Sequence, residues 1–382
     1  MNLRRTLFLG SLGLACLAMT PGGARAETLK IGVIAPLTGG GAPWGVAAKE
    51  AATILANDIN AKGGLDVGGK KYQIRIIAYD DQYKAATAVA AYNRLVNEDG
   101  VKYMLLHTTP DALALRQNVE NDKVVAITSS ASSKAIDAST TRMYRTNSPP
   151  KDYMPPLVAW IADHIKQRRL VLINPNDDLG WGFSKLAEKL FKQHGFDILG
   201  SELYERSQQN FQPLFTKVMA MKPDVVDLGS VPPATTGLMV RQLRDIGYKG
   251  LIIKTSGPSP KEILDAAGKK AAEGMIMQLF ADPNNPGYER LAAAYRKDVG
   301  QEPNEMLLVV YDGFRVFFRA IAAAGNVNDT AKVAAAFPKV LPMKGTLGDE
   351  LTLGGRFKHT IMTTTYIGVF HNGKVDILGK AK

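Results

Sequence analysis

The sequence predicts an α/β protein of two doubly wound lobes joined by a three-crossover hinge, and three observations lead there. Strand-like and helix-like hydrophobic patterns alternate along the chain. A proline cluster, Pro149-Pro150 and Pro155-Pro156, divides that alternation into two runs. The last third then departs from it, with two long helices followed by a hairpin, so that the chain crosses back between the two units.

In the first run, Leu29–Ala35 reads as a strand, and Ala47, Ala51, Ile54 and Leu55 recur at helical spacing until Gly63-Gly64 stops the helix. Tyr72–Tyr79 is the next strand, and Val89, Tyr92, Leu95 and Val96 line the helix after it. Strands at Lys102–Leu106 and Val124–Thr128 bracket a helix beginning near Asp111. In the second run a helix is expected from Leu157, then strand Leu170–Ile173, a helix from Phe183, a strand at Ile198–Tyr204 and a helix through Leu214, Val218 and Met221. Strand Val225–Leu228, helix Thr235–Ile246 and strand Leu251–Ile253 complete it. Helices Tyr288–Lys297 and Met306–Ala324 precede a hairpin of Thr363–Phe370 and Val375–Leu378 across His371-Asn372-Gly373. The crossings are placed near Thr146–Tyr153, Leu279–Pro283 and Phe357–Thr363. The lobes are therefore expected to be 27–148 plus 282–358 and 149–281 plus 359–382.

The first 26 residues read as a cleavable export signal. Arg4 and Arg5 open it, Leu7–Met19 is its apolar core, and Ala24-Arg25-Ala26 is a small-x-small site with cleavage expected after Ala26. That core is too short to span a bilayer. A lipoprotein signal acylated at Cys16 is disfavoured by Gly13, which stands where such signals carry an aliphatic residue. Cys16 is the one cysteine of the chain, so the exported part has no disulfide and must rely on its cores. Without Arg4, Arg5 and Arg25, the 47 Lys and Arg residues fall to 44 against 36 acids. The excess is scattered, Lys166-Gln167-Arg168-Arg169 being its densest cluster, with no aromatic interleaving of the kind nucleic-acid binding uses. Leu307–Ala324 is interrupted by Asp312, Arg315 and Arg319 and does not read as a membrane span. A soluble periplasmic product is expected.

Catalytic and cofactor motifs are not found. Gly39-Gly40-Gly41 lies between a strand and a helix, but no Lys-Ser/Thr follows it and the dinucleotide fingerprint is missing, so a backbone turn facing a ligand is the better reading. The histidines at 107, 164, 194, 359 and 371 form no pair at metal-ligand spacing, and no metal or cofactor is expected. Ser129-Ser130-Ala131-Ser132-Ser133 lacks the Gly-x-Ser-x-Gly elbow of a hydrolase. It follows a strand end, where a doubly wound sheet presents its ligand crevice. Two readings stay open for it, an anion-holding loop and a helix N-cap, and one serine can serve both.

Five segments in order resemble the periplasmic leucine/isoleucine/valine-binding proteins, the type I solute receptors of ABC importers. They are IGVIAPLTG with Trp44-Gly45, DINAKGG, Tyr79-Asp80-Asp81-Gln82 followed by AVAAYNRLV, Ala271–Met275, and Tyr311–Gly325. The resemblance implies the type I periplasmic binding protein fold, a ligand clamped between the lobes, hinge closure and recognition by a membrane permease. It places Trp44 against the ligand's side chain, Ser130 and Ser132 on its carboxylate, and His107, Thr108 and Thr109 in the neighbouring loop that donates to the same group. The amino half departs from the family. Ser256 stands where an acid meets the ammonium, Val231-Pro232 replaces an expected aromatic, and Leu179 replaces a tyrosine before Gly180.

A buried ammonium left without such partners costs about several kcal/mol. The expected ligand is therefore a small carboxylate with an apolar or aromatic body. Trp44, Leu179, Trp181 and Val231 would form the apolar wall, and Ser230 or Ser256 would reach a distal polar group; Asp177 or Asp178 as a replacement acid stays open. A branched-chain amino-acid receptor is the alternative within the class. A sensing subunit or an enzyme on the same scaffold is the alternative outside it. The chain is expected to act as a monomer that engages an ABC permease.

Overall fold

The computed structural model describes Glu27–Ala381, and the export-signal reading of residues 1–26 lies outside the described residues. In the first strand, Glu27–Ala35, Ile31, Val33, Ile34 and Ala35 are all fully buried. Consecutive burial of this kind marks a parallel strand covered by helices on both faces. The sheet built around it runs, in spatial order, Met343–Lys344, Glu350–Gly354, Thr360–Met362, Met143–Arg145, Val125–Thr128, Tyr103–Leu106, Glu27–Ala35, Lys70–Asp80 and Leu65–Val67. From Thr360–Met362 to Lys70–Asp80 the pairing is parallel. The second sheet runs Lys374–Ala381, Thr365–His371, Ile276–Leu279, Leu251–Lys254, Val225–Asp227, Arg169–Pro175 and Asp197–Tyr204. Its first two strands are the antiparallel hairpin, turned at Asn372 and Gly373, both with positive φ as a type I′ turn requires.

Each sheet reverses its strand order beside its first strand. Glu27–Ala35 lies between Lys70–Asp80 and Tyr103–Leu106, and Arg169–Pro175 between Asp197–Tyr204 and Val225–Asp227. Such switch points open a crevice at the carboxyl ends of the strands. The crossovers that set the two crevices against each other are laced together. Ser148 Oγ donates to the Thr363 carbonyl at 3.1 Å and accepts from the Thr363 N–H at 3.0 Å. The buried Glu305 carboxylate accepts the N–H of Phe280 at 2.6 Å, tying the remaining crossover to the start of helix Met306–Ala324.

Three of the differences from the sequence reading have a plain physical reason. The helix expected from Leu157 begins at Pro150 and contains Pro155 and Pro156. These prolines forgo two helical hydrogen bonds, but Tyr153, Met154, Leu157, Val158 and Ile161 are buried in the second lobe and the packing prevails. Helix Thr330–Val340 was not anticipated; it packs on Met306–Ala324, with Phe337 stacked on Tyr144 at 3.8 Å. Strand Thr360–Met362 pairs with Arg145, so the chain leaves the first sheet after Met362, later than the 358/359 boundary. Met306–Ala324 is apolar on nearly every side because helices Ala42–Ala61 and Thr330–Val340 cover it. No helix among the described residues is long and apolar enough to cross a membrane.

The first strand-to-helix connection of each lobe depends on a glycine. A Cβ on Gly45 would strike the backbone carbonyl of Pro36, and one on Gly180 that of Pro175. Gly45→Ala and Gly180→Ala are each expected to destabilise the protein by about 1–3 kcal/mol, the cost of overpacking against backbone. Chemical denaturation checks this, and unchanged midpoints would refute the close approach.

Candidate functional site

Between the carboxyl ends of the two sheets lies a cavity walled by both lobes and floored by the crossovers. On the first-lobe side it is lined by Trp44, Tyr83, His107, Thr108, Thr109, Ser129 and Ala131, and on the second-lobe side by Pro150, Tyr153, Leu179, Ser230, Ser256 and Gly257. Asn147, Phe280 and Met306 complete it from the hinge side. Each wall residue stands on a loop that follows a strand or on the first turns of a helix, as switch-point geometry dictates.

The loop after Tyr103–Leu106 is anchored by the His107 N–H, which donates to the Ile34 carbonyl at 3.0 Å. Burial alone pushes the His107 imidazole down to about 4, so it is neutral at physiological pH, and its Nδ1 has no protein partner. Thr108 caps helix Thr109–Asn121 in a reciprocal box with Asp111, the Thr108 N–H donating to the Asp111 carboxylate at 2.9 Å. Thr109 and Ser130 exchange a hydroxyl hydrogen bond at 3.1 Å, and the Ala131 N–H donates to Thr109 Oγ1 at 3.2 Å. Arg145 holds the serine loop from behind, donating to the carbonyls of Ser130 and Ser132.

Of the residues expected at the site, Trp44, His107, Thr108, Thr109, Leu179, Ser230 and Ser256 come together on this wall. Four do not. Ser130 is buried and spends its hydroxyl on Thr109 and on the Ser132 N–H, leaving Ser129 and Ala131 to face the cavity. Ser132 caps the short turn Ser133–Ala135 and opens on an outer groove. Trp181, 51% exposed, faces the same groove and donates to Asn176 Oδ1 at 2.9 Å. Val231 is fully buried in the second-lobe core. Neither open acid reaches the cavity. Asp177 caps helix Asp178–Gln193 and pairs with Arg206 at 2.6 Å, and Asp178 pairs across the outer groove with Lys134 at 2.9 Å.

Trp44 spans the cleft. Its Nε1 donates to Ser259 Oγ of the second lobe at 3.2 Å, and its ring lies so close to Gly257 that a side chain there would collide with it. Tyr83 packs beside the indole with ring centres 6.4 Å apart and carries the Arg206 guanidinium over its own face at 4.1 Å. Gln82 and Tyr83 both hold positive φ, a conformation costing about 1–2 kcal/mol per residue, so the surrounding contacts fix the Tyr83 ring against a backbone preference. Tyr153 brings a buried hydroxyl beside Ser256 that makes no hydrogen bond of ordinary geometry. Sequence reasoning missed Tyr83 and Tyr153. Tyr83 directly follows the Tyr79–Gln82 motif, and Tyr153 lies in the first crossover, so both had a signal of position but none of orientation.

A sequence profile of the periplasmic binding protein family matches residues 28–374. The chain belongs to that family. A Leu/Ile/Val-binding protein homologue from Brucella abortus is 28% identical over 352 residues, covering 91% of each chain. Among solved structures, a leucine-binding protein from Thermotoga maritima superposes with a TM-score of 0.80 at 21% identity, covering 93% of this chain and 99% of that one. An ABC-transporter solute-binding protein from R. palustris, solved with benzoate, gives 0.79 at 16% identity, covering 93% and 96%. These structures share the two-lobed α/β fold of this binding protein.

Among the described residues no carboxylate lines the cavity of this binding protein, but a pair lies behind its first-lobe wall. Asp81 and Asp111 are fully buried neighbours, and Asp81 Oδ2 and Asp111 Oδ1 have no hydrogen-bond partner among the described residues. Two carboxyls so placed are stabilised by holding one proton between them; burial, then the neighbouring Asp111, raises Asp81 far above the carboxylate range. A carboxyl raised in this way contributes stability that is complete at acid pH and lost as pH rises toward its folded value. Asp81→Asn keeps a donor to Asp111 without the titration. Relative to the parent chain, its stability is expected to improve as pH is raised from about 5 to 9; a gap independent of pH in urea denaturation would refute the shared proton.

Proposed function

We propose that this chain is the extracytoplasmic receptor of an ABC importer and binds a small carboxylate with an apolar or aromatic body between its lobes. The observation that carries this reading is the wall itself, hydroxyls and a neutral imidazole at the first-lobe end with no acid on either side among the described residues. An α-amino acid would bury its ammonium there without a carboxylate, at a cost of about several kcal/mol. In this reading Thr108, Thr109, Ser129 and His107 meet the carboxylate, while Trp44, Leu179, Phe280 and Met306 enclose the body. Tyr153, Ser230 and Ser256 face its distal end. The benzoate complex among the solved structures of this fold supports such a cargo for the architecture.

The lobes in this reading are the two sheet domains exchanging segments at the crossovers, exported by the signal cleaved after Ala26. Because the wall is drawn from both lobes, a ligand favours the state in which both sets of contacts exist, and the permease would recognise that state. The receptor acts as a monomer and breaks no bond. A branched-chain amino-acid receptor is the second reading, favoured by the Brucella relative and the leucine-binding structure.

A thermal-shift panel separates the two. Benzoate and short aliphatic acids are expected to raise the unfolding temperature and leucine and valine to leave it unchanged; the reverse pattern would establish the second reading. By titration calorimetry, Tyr153→Phe is expected to weaken the bound acid by about tenfold, the worth of one buried hydrogen bond. Affinity equal to the parent's would remove Tyr153 from the site.

A further inference from the structure

Behind the second-lobe wall lies a charge that the carboxylate reading does not use. Lys254 ends strand Leu251–Lys254 and is 1% exposed. Its Nζ donates to the carbonyl of Val231 at 2.6 Å and to that of Gly229 at 3.3 Å, the residues on either side of the cavity-lining Ser230. It stands 3.8 Å from where a Cβ of Gly257 would be, and Gly257 also lines the cavity. An ammonium carries three donors. The third N–H of Lys254 has no acceptor among the described residues. This cation sits one atomic layer behind the part of the wall where the resemblance to amino-acid receptors calls for an acid.

We propose that Lys254 is the specificity-determining residue of the second lobe, a buried cation whose field selects an anionic ligand and rejects one that carries an ammonium. The inference rests on the carboxylate reading and deepens it by assigning charge discrimination to one residue. Away from bulk water a charge acts over several ångströms with less screening than in solvent. An anion in the cavity stabilises the ammonium, and an ammonium there destabilises it. Lys254 thus positions charge without needing to touch the ligand.

The titratable groups around it are few. Asp227, on the neighbouring strand, is raised by burial to about 6 and held by the Thr255 hydroxyl at 2.6 Å and by the backbone N–H groups of Gly229 and Thr255, so above that pH it partly offsets the Lys254 charge and adds to the fall in acid affinity. Tyr153, from helix Pro150–His164, is a neutral phenol whose pKa burial raises. His107 faces the cavity from the first lobe and is neutral, and the Asp81–Asp111 pair lies behind that opposite wall. Burial pushes the Lys254 ammonium itself down to about 7, with Asp227 opposing that shift. A bound anion raises it again, so binding above neutral pH draws in a proton. Affinity for an acid therefore falls as pH rises above about 7, by up to about tenfold per unit.

The test compares the parent chain with Lys254→Met, which keeps the stem and removes the charge. Titration calorimetry uses benzoate, hexanoate and their primary amides at pH 6 to 9, in buffers of different ionisation enthalpy. Expected for the parent are acid preferred over amide, proton uptake at pH 8, and the fall in affinity with pH. Expected for Lys254→Met are acid affinity lowered by about tenfold at pH 6, amide affinity unchanged, and no proton uptake. A variant that keeps the acid-over-amide preference and the parent's proton uptake overturns the inference while the carboxylate reading stands. A parent chain that binds leucine and no acid overturns the reading itself. If Lys254→Met does not fold, Lys254→Arg, whose charge does not titrate, must keep the acid preference while losing the parent's proton uptake at pH 8, and an Arg variant that retains that uptake overturns the inference.

Discussion

The contact of the Trp44 indole with the bare backbone of Gly257 is the interaction on which the closed cleft depends. Gly257 holds a φ of +62°, and the space its missing side chain leaves is filled by the edge of the ring. The indole N–H reaches Ser259 two residues on, which also accepts from Asn304 at the hinge side. One aromatic side chain thus joins the first-lobe helix Ala42–Ala61 to the second-lobe loop and to the start of helix Met306–Ala324. Were that contact open, the two rows of strand ends would be separate crevices, each with half of the polar groups of the site.

Charge in this binding protein is kept one layer behind the cavity surface. The wall presents hydroxyls, a neutral imidazole, phenols and apolar faces, while Asp81 with Asp111 and Lys254 with Asp227 lie beneath it. Of the buried arginines beside the cleft, Arg145 donates to the carbonyls of the serine loop, and Arg206 pairs with Asp177 through Nε and lies over the face of Tyr83. Buried charges acting through a neutral wall exert a field on whatever enters, and groups already held by the fold need no reorganisation to do so.

The serine loop shows how a motif can be located from sequence while the orientation of its members cannot. That Ser129–Ser133 follows a strand end was legible, because hydrophobic runs locate strands and doubly wound sheets present their crevices there. Which hydroxyl faces outward was not, since alternation along the loop is set by Arg145 and Thr109, residues distant in sequence that draw Ser130 inward. The proline-rich crossover failed for a similar reason. Local rules end a helix at Pro155-Pro156, yet the buried stripe from Tyr153 to Ile161 carries the helix through them, and so turns Tyr153 into the cavity.

By itself, the sequence determined the alternating elements, the two-lobed plan, the family and the lack of an acid at the position where Ser256 stands. These depend on periodicity, composition and short motifs, all of which are local along the chain. Only the tertiary structure decided that Ser129 rather than Ser130 lines the cleft, that Asp177 and Asp178 are occupied by Arg206 and Lys134, and that Lys254 lies behind the wall. Each of those depends on which distant side chain arrives first to satisfy a buried polar group, and that competition is settled by packing in three dimensions.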